Sequence, residues 1–339
     1  MQKKILVTGG CGFIGSHTIA LLIEKGYDVV SLDNFSNSHK EALKGLEKLT
    51  GRTIANLEVN LCDRLETMKA ITEAAPFDAV IHFAAYKSVG ESMAKPFMYY
   101  QNNIPSVINI AEAAVRNGIQ HFIFSSSCTV YGDAEVIPVT ENTPIGNALS
   151  PYGLTKITAE AQLTDVNKRY KWFKPTFLRY FNPAGAHESA LIGEASRRPS
   201  TNLVPIICEV VAGKREKLAV FGDDYQTRDG SCIRDYVHVM DLAEAHISAL
   251  ELSLIQESKT DIESFNLGIG EGVSVLEAIS AFEQVTGKKV NYAIGEKRPG
   301  DVAAIFADYS KAAKVLNWKP KRTIEDIMET AWKWEQVRW

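Results

Sequence analysis

Short apolar runs alternate with longer stretches of helical spacing through the first half of the chain. The runs fall at residues 5–8, 29–32, 79–84, 122–124 and 177–178. Runs of this length without polar alternation predict strands buried on both faces, and therefore parallel ones. Strands joined through helices by right-handed crossovers give a doubly wound α/β sheet. The texture changes after about residue 183. Residues 187–202 are rich in Ser, Arg, Gly and Ala, show no period, and read as a mobile surface segment. Ser274-Val275-Leu276-Glu277 has the form of a capping box opening a helix that Gly287 ends. Ile324, Ile327, Met328 and Ala331 share one face of a final helix, with Trp332, Trp334 and Trp339 expected to pack around it. The expected partition is a large doubly wound domain, 1–182 plus 235–265, and a smaller mixed α/β domain, 183–234 plus 266–339.

Composition adds mainly exclusions. The 339 residues are 45% hydrophobic and 23% charged, enough for the cores of about two domains. The net charge of −4 leaves no electrostatic footprint for nucleic acid or an anionic membrane, so neither is an expected partner. No apolar run approaches the roughly 20 residues of a spanning helix, and the run after Lys4 is too short for a signal peptide. Cysteines at 11, 62, 128, 208 and 232 are odd in number and lack C-x-x-C spacing. That suits a reducing compartment, and a cytoplasmic location is the expectation. Seven histidines show no metal-binding spacing, so no metal is expected.

Two clusters carry chemistry. Gly9, Gly12 and Gly15 lie between the first apolar run and a helix, where a tight turn brings backbone N–H groups to a pyrophosphate. Asp33 ends the second run, in place to accept from an adenosine ribose. Asn34, Phe35 and Ser36 follow it, with no cation for a 2′-phosphate, so NAD rather than NADP is expected. Tyr152 and Lys156, four residues apart, share a helix face. Ser125-Ser126-Ser127 follows the fourth run, at the edge where such sheets bind ligands. A phenol with an ordinary pKa near 10 needs help to act as a base. A neighbouring ammonium and a cationic nicotinamide are expected to lower it.

Gly9/Gly12/Gly15, Ser127 and Tyr152-x-x-x-Lys156 resemble the extended short-chain dehydrogenase/reductase family. Finer strings resemble its UDP-glucose 4-epimerases nearly end to end: Ser16-His17, residues 82–92, Thr129-Val130-Tyr131-Gly132-Asp133, residues 178–183 and residues 234–239. The resemblance implies a Rossmann domain, a tightly bound NAD that is not consumed, a UDP-hexose substrate and a homodimer pairing the helices near 101–117 and 152–168. It implies Tyr152 as base and acid, Lys156 on the nicotinamide ribose, and Ser127 on the sugar 4-oxygen. NAD would be lined by the three glycines with Phe13, Ile14, Asp33, Asn37, Ser38, Asn60, Leu61, Phe83, Ala84, Lys87, Asn102, Ser125 and Phe181. The UDP-sugar would meet Asn182, Asn202, Leu203, Phe221, Arg234, Arg298, Asp301 and Ile305.

Two positions depart from the family pattern. Asn60 stands where an Asp often accepts from adenine, and its other reading is a turn residue. Ile305 aligns with a bulky Tyr of some epimerases, leaving an N-acetylated UDP-hexosamine as an alternative substrate. A 4,6-dehydratase usually carries Thr-Asp-Glu where this chain has Thr129-Val130-Tyr131. A non-catalytic NAD sensor would have no need of the full Ser127/Tyr152/Lys156 set. Cys11 and Cys128 lie beside the expected cofactor edge without a partner base and read as structural thiols.

Overall fold

The structure is a computed structural model that describes residues 2–255, 262–298 and 301–338. Trp339 lies outside them. Seven parallel strands form the main sheet: β1 (Lys4–Thr8), β2 (Asp28–Leu32), β3 (Ala55–Leu57), β4 (Ala79–His82), β5 (His121–Ser127), β6 (Lys174–Tyr180) and β7 (Glu263–Leu267). Their order is β7-β6-β5-β4-β1-β2-β3, so the winding reverses between β4 and β1. The side-chain period of two splits the core between the faces. Ile5, Val7, Ile81 and Ile123 pack on one side, against helices α1 (Phe13–Glu24) and α4 (Val239–Ile255). Leu6, Val80, Phe122 and Phe124 pack on the other, against α2 (Pro96–Arg116) and α3 (Pro151–Arg169).

A second core joins residues 203–211, α5 (Val275–Thr286) and α6 (Ile324–Val337). Both expected helix signals appear. Ser274 and Glu277 form a reciprocal capping box, and Gly287 ends α5 at φ +67°. Ile327, Met328 and Ala331 bury the inner face of α6. Two features sit across the expected partition. β7 runs on to Leu267 within the large sheet, and Ala312, Leu316 and Trp318 pack into the large core. The apolar spacing is too short to assign such single turns to one core or the other.

The expectation of a mobile 187–202 is corrected. The segment is irregular, but Ile192 is buried in the large core and the Trp334 indole donates to Glu194 O at 2.9 Å. A period search cannot see such ties, because they join residues far apart in sequence.

Four histidines are locked inside the fold: His17 against Phe13 O, His82 against Thr8, His238 against Thr330 and His246 against Leu242 O. Burial lowers their pKa values to about 3 for His17, His82 and His238 and about 4 for His246. Below the ordinary value near 6.5, the unfolded chain takes up protons that the folded chain refuses. Their contribution is full above pH 6.5 and lost as pH falls toward 3–4. Asp235 acts the other way: burial raises it to about 6, so the fold holds an extra proton between about pH 4 and 6. Four imidazoles outweigh one carboxyl, and the melting temperature is expected to fall steadily from pH 7 to pH 5. A rise over that interval contradicts the burial of these rings as neutral groups.

Candidate active site

The carboxyl ends of β1, β2, β4, β5 and β6 open onto a cavity of about 640 Å³. It lies at the reversal of winding, where open α/β sheets bind ligands, and its size falls within the roughly 300–1,000 Å³ of small-molecule sites. Every cofactor-side, substrate-side and catalytic residue named above lines it.

At one end, Gly9 turns the chain at φ +67°. A Cβ there would lie 2.8 Å from Ala84 N, and one at Gly15 would collide with Gly9 O. No side chain caps α1 at Gly12, so its first N–H groups remain for an anion. The Asp33 carboxylate is fixed by Phe35 N at 2.9 Å, Ser38 Oγ at 2.7 Å and Cys11 N at 3.0 Å. Its place at the end of β2 suits a ribose hydroxyl. These residues fit NAD. Gly15→Ala is expected to destabilise the fold by about 1–3 kcal/mol through overpacking and to weaken retention of NAD, read by urea unfolding and by cofactor content after desalting. Unchanged cofactor content contradicts the cradle.

Asn60 accepts from Cys62 N at 3.1 Å through its side-chain oxygen, a turn role, while still lining the cavity. Burial pushes the Cys11 and Cys128 thiols up to about 12, which makes both poor nucleophiles.

At the centre, Ser150 caps α3 by accepting from Gly153 N at 3.1 Å, with Pro151 preset at the first turn. Tyr152 and Lys156 then project together against the end of β5. The Ser127 side chain lies close enough to the Tyr152 hydroxyl to favour its ionised form. Lys156 Nζ donates to Ser125 O at 2.6 Å and lies 5.9 Å from the Tyr152 ring centre. The expected lowering of the phenol is not what the chain alone provides. Burial pushes Tyr152 up to about 12, opposed by Ser127. Burial also lowers Lys156 to about 8, opposed by Glu160. Lys156 therefore stays mostly charged at pH 7. Desolvation is the largest influence on the phenol of the chain alone; a bound nicotinamide would add a second positive charge.

A buried network that motif reading missed lies below Lys156. Glu160, one turn on in α3, takes two bonds from Arg179, at 2.9 and 2.6 Å, and one from Ser126 Oγ at 2.5 Å. Arg179 also donates to Tyr131 Oη at 3.1 Å, and Tyr131 donates to Asn266. The available signal was an arginine directly after the apolar run 177–178 and a glutamate four residues after Lys156. Thr129, another unforeseen lining residue, has a buried hydroxyl with no hydrogen-bond partner among the described residues.

At the far end, Arg298 donates to Asp301 at 2.8 and 3.1 Å, and Arg234 reaches the same carboxylate at 3.4 Å. Two cations share one anion, so positive charge remains for a diphosphate. Phe221 lies 5.2 Å under the Arg298 guanidinium. Asn202 donates to Glu194, another residue the motifs did not single out, and the same carboxylate pairs with Lys87.

The family model described as GDP-mannose 4,6 dehydratase matches residues 6–331. The UDP-glucose 4-epimerase of Erwinia amylovora is 48% identical over 98% of this chain and 97% of its own. That of Bacillus subtilis is 46% identical over 98% and 96%. The chain belongs to the UDP-glucose 4-epimerases of the extended short-chain dehydrogenase/reductase family. The crystal structure of the Bifidobacterium longum member, in complex with NAD+ and UDP, superposes with a TM-score of 0.95 at 42% identity, covering 99% of both chains. A doubly wound sheet carrying a smaller lobe is thus shared across the family match, as the apolar pattern implied.

Proposed function

We propose that the chain catalyses reversible, NAD-dependent epimerisation at C4 of UDP-galactose and UDP-glucose through a transient 4-keto sugar. The observation that carries this reading is one cavity joining three parts: the glycine cradle with Asp33, the Ser127/Tyr152/Lys156 cluster and the Arg234/Arg298 pair. They supply a dinucleotide site, a proton-transfer group and a diphosphate grip. The similar Bifidobacterium longum enzyme was crystallised with NAD+ and UDP.

Ser127 holds the sugar 4-oxygen against Tyr152, which takes the hydroxyl proton and later returns it. Bound NAD supplies the acceptor and donor of the C4 hydride. Lys156 holds the nicotinamide ribose and places its charge beside the phenol. Asn182, Asn202, Leu203, Phe221, Arg234, Arg298 and Asp301 hold the uridine diphosphate while the hexose turns its other face to Tyr152. Phe13, Ile14, Asn37, Ser38, Asn60, Leu61, Phe83, Ala84, Lys87, Asn102, Ser125 and Phe181 line NAD.

Dehydration is disfavoured by packing. Val130 and Tyr131 are buried, with Tyr131 Oη spent on Asn266, so no acid–base pair occupies those positions. Ile305 packs in a cluster with Cys128 and Phe181. Ile305 still lines the cavity, and the unsubstituted hexose is taken as the preferred substrate, in keeping with the UDP-glucose 4-epimerases to which the chain is similar.

A homodimer through α2 and α3 belongs to the same reading. Of the apolar positions on these helices, Val107, Ala111, Ala159 and Leu163 face the sheet. Phe97, at 76% exposure, Ile108 and Leu154 remain outside, as does Met93, at 55%, in the short helix before α2. They leave an apolar face that a second copy would cover. Five free thiols suit a cytoplasmic location; among the described residues no helix is long and apolar enough to cross a membrane. UDP-galactose carrying deuterium at C4 tests the hydride route: the product is expected to keep the label in ordinary water. Washout of the label contradicts it.

A further inference from the structure

We propose that residues 194–198 form a clasp over the bound dinucleotide and set how slowly NAD leaves. The proposal rests on the NAD-dependent reading above and extends it to residues that no motif singles out.

The geometry is that of a bridge. Asn37 and Ser38 lie in the loop after β2; Lys87 and Glu91 lie just after β4. These two strands flank β1, whose carboxyl end carries the glycine cradle. A segment bonded to both loops bridges them beside that cradle, with Ala195 next to Cys11 and Ser16, where a pyrophosphate would lie.

Residues 194–198 make those bonds on both sides. On the β2 side, Ser196 Oγ donates to Asn37 Oδ1 at 2.8 Å. The Arg197 backbone N–H reaches Asn37 O at 3.3 Å, and Arg197 Nε reaches Ser38 O at 2.8 Å. Ser38 in turn holds the Asp33 carboxylate. On the β4 side, Arg198 pairs with Glu91 at 2.7 Å and stacks 4.1 Å over the Tyr86 ring. The Lys87 ammonium meets Glu194 at 2.5 Å.

The segment is anchored at its near end by buried Ile192 and by the Trp334 bond to Glu194 O. At its far end, Asn202 donates back to Glu194. One carboxylate therefore ties a cofactor-side lysine to a substrate-side asparagine. Individually, such partly exposed contacts are weak. Together they must all release before the dinucleotide can pass out on this side, a cost paid in the rate of escape.

The test is exchange of the resident cofactor. Purified protein is incubated with radiolabelled NAD, and label retained after desalting is followed in time for wild type, for S196A/R197A/R198A and for the single variant Arg198→Ala. The triple variant is expected to exchange at least tenfold faster, the single variant by a smaller factor in the same direction. Any loss of turnover in desalted variants should be restored by added NAD. Should the triple variant fail to fold, the single variant carries the same test. Equal exchange rates in a wild type that holds NAD and epimerises overturn the clasp alone. A wild type that binds no NAD and converts no UDP-hexose overturns the functional reading, and the clasp with it.

Discussion

Tyr152→Phe is expected to lower turnover by about 10²–10⁴-fold, the usual worth of a positioned general acid–base group, while leaving NAD bound. The substitution removes one oxygen from a buried helix face and keeps the ring that packs edge-on against Tyr99. Ser127, Lys156 and the glycine cradle stay in place, so the cofactor keeps its other contacts. What disappears is the oxygen that faces Ser127 and exchanges a proton with the sugar. The phenol of the chain alone is raised to about 12 by burial, so a working base requires charge near it. Lys156, lowered to about 8, remains mostly cationic at pH 7 and loses its charge above that value. Turnover near wild type in the phenylalanine variant contradicts the assignment of Tyr152.

The second large effect is on stability. Glu160 and Arg179 are an almost dry ion pair, with side chains 9% and 8% exposed. Glu160→Gln would leave the Arg179 guanidinium without its anion and loosen Ser126, which sits between Ser125 and Ser127 on β5. Breaking a buried pair by removing one partner costs about 3–5 kcal/mol, a large part of the roughly 5–15 kcal/mol that holds a typical protein folded. Urea unfolding followed by circular dichroism should show that fall. Replacing both partners by apolar residues, Glu160→Leu with Arg179→Met, should recover most of it, because no charge is then stranded. A Glu160→Gln variant within 1 kcal/mol of wild type contradicts the burial of an uncompensated cation.

Much of this was legible in the sequence because it is local. Apolar runs mark β1, β2, β4, β5 and β6, and glycine spacing marks the cradle. The four-residue step from Tyr152 to Lys156 places both on one helix face. β3 and β7 were not seen. Ala55–Leu57 has three residues on the sheet edge, and the Glu263–Leu267 run is broken by Ser264 and Asn266. The substrate-side residues came from resemblance, since Arg234 and Arg298 look like surface arginines until the fold sets both on Asp301. The ties of residues 194–198 and the Glu160–Arg179 pair depend on contacts between distant segments. No periodicity encodes those.

The most direct measurement is to incubate the purified protein with UDP-galactose, with no NAD added, and to separate the products by chromatography. Conversion to a fixed ratio of UDP-glucose and UDP-galactose, reached from either side and without net NADH, is the expected result. No conversion, even after NAD is supplied, contradicts C4 epimerisation of UDP-hexoses as the chemistry of this cavity.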